Sequence, residues 1–320
     1  MSHSVDRRSF LQRCALTSAG AAIGWTDPHI LTGTAFNGTG STGTGKALAI
    51  GPIVRNKLPK FKFSLAAYSY RSLLKGKQPA LTLFDFIDDC ARMGLEGTEL
   101  TSYYFPTPPT SAYLHQLRQR CFRLGLDVSG TAVGNNFGVA SATELRNQID
   151  DVKQWIEHAA TLGAPVIRIF AGHAPDGADG HQTHTQMIAA IEECCEYAGR
   201  HGVFLALENH GGPTSTARGL LALVHDVQSP WFGVNLDTGN FHSDDIYGDL
   251  ALIAPYALNV QVKITISGPS KKAKPTNFGR LANLLRDTDY RGYVVLEYEE
   301  KEDPRQACPK YIDQLREAFA

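Results

Sequence analysis

The sequence predicts an α/β protein of the (β/α)8 class, a closed TIM-type barrel, over residues 58–320. Three observations predict it. From residue 61 onward, short aliphatic and β-branched runs alternate with longer segments of helical period. Eight such runs occur, each starting about thirty residues after the last, as strand–helix units joined by right-handed crossovers would. The whole stretch of about 260 residues is close to the usual barrel size of about 250. An open doubly wound sheet is the runner-up. It lacks its fingerprint, because no G-x-G-x-x-G follows a first strand and no P-loop occurs.

In chain order the expected strands begin with "FKFSLAAY" (61–68), "GLEGTEL" (94–100), "LDVSGTAV" (126–133) and "PVIRIFAG" (165–172). They continue with "VFLALENH" (203–210), "FGVNLDTGN" (232–240), "LNVQVKITI" (258–266) and "GYVVLEYE" (292–299). The helices between them have readable ends. "LTLFDFIDDCARMG" offers Thr82 as N-cap, Asp85 three residues on, and Gly94 as stop. "SATELRNQIDDVKQWIEHAATLG" sets Leu145, Ile149, Val152, Ile156 and Ala159 on one face and closes at Gly163. "HTQMIAAIEECCEYAGRHG" closes at Gly202 in the same way.

Composition sets outer bounds. The 320 residues are 43% hydrophobic and 20% charged with a formal net charge of -1, so the basic footprint of a nucleic-acid binder is missing. At the N-terminus, Arg7 and Arg8 precede Ser, Phe, Leu and a weakly apolar small-residue stretch, which is similar to a twin-arginine export signal of bacteria. The apolar part is too short for a membrane span. "TGTAFNGTGSTGTGK" (32–46) reads as flexible linker. The expected organisation is signal peptide (1–35), linker (36–57) and barrel (58–320), with a periplasmic or otherwise exported location. Five cysteines in the body, without regular spacing or a Cys-x-x-Cys, read as buried thiols.

Function is sought at the strand ends, because a barrel of this class builds its active site from them and the loops that follow. Strand five ends in Glu208-Asn209-His210, strand six in Asp237-Thr238-Gly239-Asn240, and strand eight in Glu297-Tyr298-Glu299. Strand seven carries Gln261 and Lys263 two residues apart, hence on one face. Strand four brings Arg168 and His173, and strand one Tyr68 and Tyr70; with Tyr103, Tyr104 and Phe105 these aromatics suit stacking on a ring-shaped ligand and, equally, packing in the core or rim. Glu208, Asp237 and Glu297 converge on one mouth, where three carboxylates repel one another unless a cation joins them. Each residue alone reads equally well as a cap, an ion-pair partner or a loop residue. Their joint occurrence on four successive strands points to a divalent metal.

"ENHGG", "NLDTGN", "VQVK" and "LEYE", in this order, resemble the sugar phosphate isomerase/epimerase family with the xylose-isomerase-like barrel, over most of residues 61–320. Spacings of 29, 24 and 36 between Glu208, Asp237, Gln261 and Glu297 are similar to that family's Glu, Asp, His, Glu metal set. Gln261 departs from the pattern by standing where relatives carry histidine. An all-oxygen set favours Mn²⁺ or Mg²⁺ over Zn²⁺ or Co²⁺. Alternatively, Gln261 only hydrogen-bonds a metal-bound water.

The resemblance implies metal-assisted proton abstraction from a keto sugar through an enediolate. Glu208 and Glu297 would be the acid–base pair, with Lys263 steadying the anion. His210, Asn240, His173, Arg168 and Tyr70 would contact substrate. Epimerase and isomerase outcomes share the first step with a lyase acting on 3-keto-glycosides. A non-catalytic sugar-binding barrel and an abasic-DNA endonuclease are the other readings; the latter lacks its histidine-rich metal set. The expected partner is a small sugar or glycoside, with no nucleic acid and no membrane span. A homo-oligomer stays open.

Overall fold

The computed structural model describes residues 50–320. The expected signal peptide and most of the expected linker lie outside the described residues. All eight expected strands form: β1 (Lys60–Ala66), β2 (Gly97–Thr101), β3 (Asp127–Ala132) and β4 (Val166–Ile169); then β5 (Phe204–Glu208), β6 (Phe232–Asp237), β7 (Ala257–Val262) and β8 (Arg291–Leu296). They pair in parallel as one closed barrel, β1 meeting β8, so the sheet has no edge to protect.

Helices α1 (Leu83–Arg92), α2 (Ser111–Arg123), α3 (Ala142–Leu162) and α4 (Gly180–His201) follow the first four strands. Helices α5 (Ala217–Asp226), α6 (Ile246–Ile253), α7 (Phe278–Asp287) and α8 (Pro304–Phe319) follow the rest. Thr82 and Asp85 form the reciprocal capping box at the start of α1. Gly163 and Gly202 take the left-handed conformation that ends α3 and α4.

Three boundaries differ from expectation. Helix α4 starts at Gly180, because the Asp179 carboxylate accepts from the His181 and Gln182 amides and caps it one turn early. Strand seven ends at Val262, and the chain then makes a separate hairpin, Thr265–Ser267 against Ala273–Pro275. Residues 53–55, at the end of the expected linker, are tied to the barrel. The Ile53 amide donates to the Pro255 carbonyl at 2.9 Å, and the Arg55 guanidinium donates to the Ala257 carbonyl at 2.6 Å.

The strands alternate between two interiors. Leu205, Leu207, Val234, Leu236, Val260, Val262, Val294 and Leu296 face the helices and join one apolar core. The intervening residues point into the barrel. There Ala66, Tyr293 and Val295 form a small apolar plug. The rest of the filling is largely polar: Ser64, Glu99, Arg168, Glu208, Asn235, Asp237, Asn259 and Gln261 are all buried. Buried polar groups are tolerated only when they satisfy one another, and that requirement shapes the site.

Candidate active site

Two polar layers occupy the barrel. The lower one is a closed ring. Asn235 donates to the Gln261 carbonyl oxygen at 2.6 Å, and Asn259 donates to the Asn235 oxygen at 2.9 Å. Gln261 Nε2 and Asn259 Nδ2 then donate to the two oxygens of Glu99, at 2.6 and 2.9 Å. Burial, then the nearby Glu297 charge, push the Glu99 carboxyl up to about 7, against the two amide donors.

The upper layer carries the strand-end residues. Glu208 closes β5; one oxygen lies 2.8 Å from Arg168 Nε and the other accepts from Asn240 Nδ2 at 2.8 Å. Asp237 closes β6. Its Oδ1 accepts from the Gly239 amide at 2.7 Å, and its Oδ2 stands 3.0 Å from Lys263 Nζ. That second contact is an ion-pair distance without the alignment of a hydrogen bond, for Oδ2 has no hydrogen-bond partner. Lys263 Nζ also lies 3.3 Å from Glu297, 3.7 Å from Glu299 and 3.2 Å from the Asn240 oxygen.

Electrostatics follow from this crowding. Burial raises the Glu208 carboxyl, Arg168 opposes the rise, and Asp237 and Glu297 add to it. Burial raises Glu297 too, with Lys263 opposing. Burial disfavours the Lys263 ammonium, but Asp237, Glu297, Glu299 and Glu208 outweigh it and hold the lysine well above its ordinary range. Three buried carboxylates thus face one buried cation, Arg168, and one largely buried cation, Lys263. The glutamates are raised chiefly because they are buried, and the neighbouring carboxylates add to it.

A cavity of about 240 Å³ opens here, lined by Tyr68, Tyr103, Arg168, Phe170, Glu208, His210, Lys263, Glu297 and Glu299. Tyr68 and Tyr103 meet edge to face at 6.4 Å and form its aromatic side. The His210 ring lies over Phe170 at 4.4 Å, and the Arg168 guanidinium lies over the same Phe170 ring at 4.0 Å. Burial and the Arg168 charge lower the His210 pKa, so its imidazole is a neutral wall of the cavity.

The structure therefore gathers Glu208, Asp237, Glu297, Lys263, Arg168, His210 and Asn240. Two expected contacts fall elsewhere. Tyr70 is buried against Phe86, ring centroids 5.1 Å apart, and borders a cleft by Asp89 and Arg305 on the helical side; one residue beyond Ser69, it points away from the mouth that Tyr68 faces. His173 is exposed and packs over Gly211 and Gly212 without lining the cavity.

The residues in place do not fit the expected metal centre. Gln261 has its oxygen on Asn235 and its amide on Glu99, one layer below the mouth. Both Glu208 oxygens are engaged, and Asp237 and Glu297 converge on the Lys263 ammonium. Among the described residues no group of three or more histidine, cysteine, aspartate or glutamate side chains is arranged to hold a cation.

Glu99, Asn235, Asn259 and Phe170 also shape the site and are not among the strand-end candidates. Period-two polar residues inside aliphatic strands, as in "VNLD" and "NVQVK", were the available signal for two of them. Asn209 is buried and clamps β6, accepting from the Asp237 amide at 2.8 Å and donating to its carbonyl at 2.9 Å.

The family described as "Xylose isomerase-like TIM barrel" matches residues 87–318. Among solved structures, the D-psicose 3-epimerase of Clostridium cellulolyticum H10 superposes with a TM-score of 0.67 at 15% identity, covering 81% of this chain and 99% of its own. The 3-keto-D-glucoside 4-epimerase of E. coli gives 0.66 at 17%, covering 81% of this chain and 100% of its own. At such identities the likeness is one of fold. A Homo sapiens protein named "Putative hydroxypyruvate isomerase" is 28% identical over 172 residues, 48% of this chain; the chain spans 61% of that relative's length. No helix among the described residues is long and apolar enough to cross a membrane.

Proposed function

The chain belongs to the xylose isomerase-like TIM barrel family, and from that membership we propose that it is a sugar isomerase or epimerase. It works by proton transfer at the carbon beside a carbonyl, with Glu208 and Glu297 as the acid–base pair. One observation carries the reading: both glutamates are buried, line the same small cavity, and have carboxyls raised above the usual range. A cavity of about 240 Å³ suits a single sugar unit.

The chemistry balances within these groups. The ionised glutamate takes the proton, the C–H pair becomes the new C=C bond, and the carbonyl π pair moves onto oxygen. The N–H groups of Lys263 and Arg168, which line the cavity, would steady that developing charge. The protonated partner then returns a proton. Return to the opposite face inverts the carbon; return to the neighbouring carbon, with the adjacent hydroxyl proton passing to the former carbonyl oxygen and a new C=O forming in its place, isomerises the sugar. In the reverse reaction the two glutamates exchange roles.

Nuclear magnetic resonance in heavy water, on a panel of ketoses and 3-keto-glycosides, tests this. A substrate should take up deuterium beside its carbonyl, and Glu208→Gln and Glu297→Gln should each slow exchange by about 10²–10⁴-fold. Exchange that persists in both variants, or is absent across the panel, refutes the reading. We further propose export by the twin-arginine route. Arg7, Arg8 and the small-residue stretch support it, and retention of the full-length chain in the cytoplasm on cell fractionation would overturn it.

A further inference from the structure

We propose that Lys263 is a built-in cation standing in for the divalent ion that the strand-end pattern calls for, so that the carboxylate cluster holds together without a metal. The inference rests on the isomerase reading only for the lysine's chemical role; the charge arrangement stands by itself. Four oxygens surround Nζ: Asp237 Oδ2 at 3.0 Å, Asn240 Oδ1 at 3.2 Å, Glu297 Oε1 at 3.3 Å and Glu299 Oε1 at 3.7 Å. They come from the end of β6, the turn after it, and the residues after β8. Two of them, Asp237 and Glu297, belong to the expected metal set, and both are turned to the ammonium.

The Lys263 side chain is 12% exposed and Asp237 is fully buried, so water screens the pairs poorly. A second cation a few ångströms from the ammonium would meet strong repulsion there. Gln261 offers no way around it, because its oxygen leaves Asn235 only by opening the ring that ends on Glu99. Glu208, the remaining carboxylate, has its own cation in Arg168. In the reaction, Lys263 donates an N–H to the substrate's carbonyl oxygen and keeps its proton. No bond to nitrogen forms, and nothing is oxidised or reduced.

The test is Mn²⁺ binding, read from the electron paramagnetic resonance of free Mn²⁺ titrated with chelator-treated full-length chain. Wild type should bind Mn²⁺ only weakly. Lys263→Met leaves the carboxylates uncompensated and should bind about 100-fold more tightly, the scale on which groups beside a metal alter its affinity. Stoichiometric Mn²⁺ in the wild type would overturn the inference, as would a folded Lys263→Met no tighter than wild type. If circular dichroism finds that variant unfolded, Lys263→Gln, which keeps an N–H donor and loses the charge, is read by the same criteria. Stoichiometric Mn²⁺ with deuterium exchange intact would sink the lysine inference and leave the isomerase reading standing. Absence of exchange would sink the isomerase reading, and the Mn²⁺ result would decide the lysine inference separately.

Discussion

Glu99→Gln is the sharpest probe of the polar layer beneath the site. Glu99 is 1% exposed and accepts from Gln261 and Asn259, yet its carboxyl is pushed from the ordinary 4.5 up to about 7, chiefly by burial. A carboxyl raised on folding stabilises the fold fully below its unfolded pKa. That contribution declines as pH rises through the folded value, because the unfolded chain ionises first. At about 1.4 kcal/mol per unit, the gap from 4.5 to about 7 amounts to about 3 kcal/mol lost by the wild type across that window. The amide of Glu99→Gln does not titrate. Its NH₂ must face one of the two former donors, which adds a pH-independent penalty of about 1–3 kcal/mol. Urea unfolding followed by tryptophan fluorescence, between about pH 5 and about pH 8, should therefore find the variant gaining on the wild type by about 3 kcal/mol. Subtraction at each pH removes the titration of carboxyls that do not interact with residue 99. A difference that stays constant, or that moves against the variant toward high pH, would refute the buried-ring argument.

Two further outcomes follow from the loops that shape the mouth. Asn209→Ala removes both bonds to the Asp237 backbone and leaves its buried amide without a partner, so thermal unfolding should register a loss of about 2–3 kcal/mol. Turnover should fall with it, and a loss below about 0.5 kcal/mol would mean that Asn209 does not hold the end of β6. Gly212 has a φ of 50°, and a Cβ there would lie 2.5 Å from the Gly172 carbonyl and 3.0 Å from the His173 ring. Gly212→Val should cost about 2–3 kcal/mol in urea melts, since a β-branched residue adds strain to the clash. A neutral result would show that the two loops move apart freely.

The repeat of strands and helices was legible in the sequence because it is written in local signals. Period-two aliphatic runs, the Thr82 capping box and the glycines at 163 and 202 each act within one turn or one pleat. The mouth was legible in part for a related reason: in a barrel of parallel strands every C-terminal end reaches the same rim, so Glu208, Asp237, Lys263 and Glu297 had to meet once the topology was right. What joins them was not legible. Charge compensation depends on distances across the barrel, and only closure brought the Lys263 ammonium to Asp237 and Glu297 and the Arg168 guanidinium to Glu208. The same holds for Gln261. Its residue type suits a metal ligand, but closure sets it opposite Glu99, 162 positions earlier in the chain, and commits it to a ring of amides. A sequence states which donors and acceptors a strand carries. Which of them satisfy one another is decided by burial, where every polar group must find a partner in the third dimension.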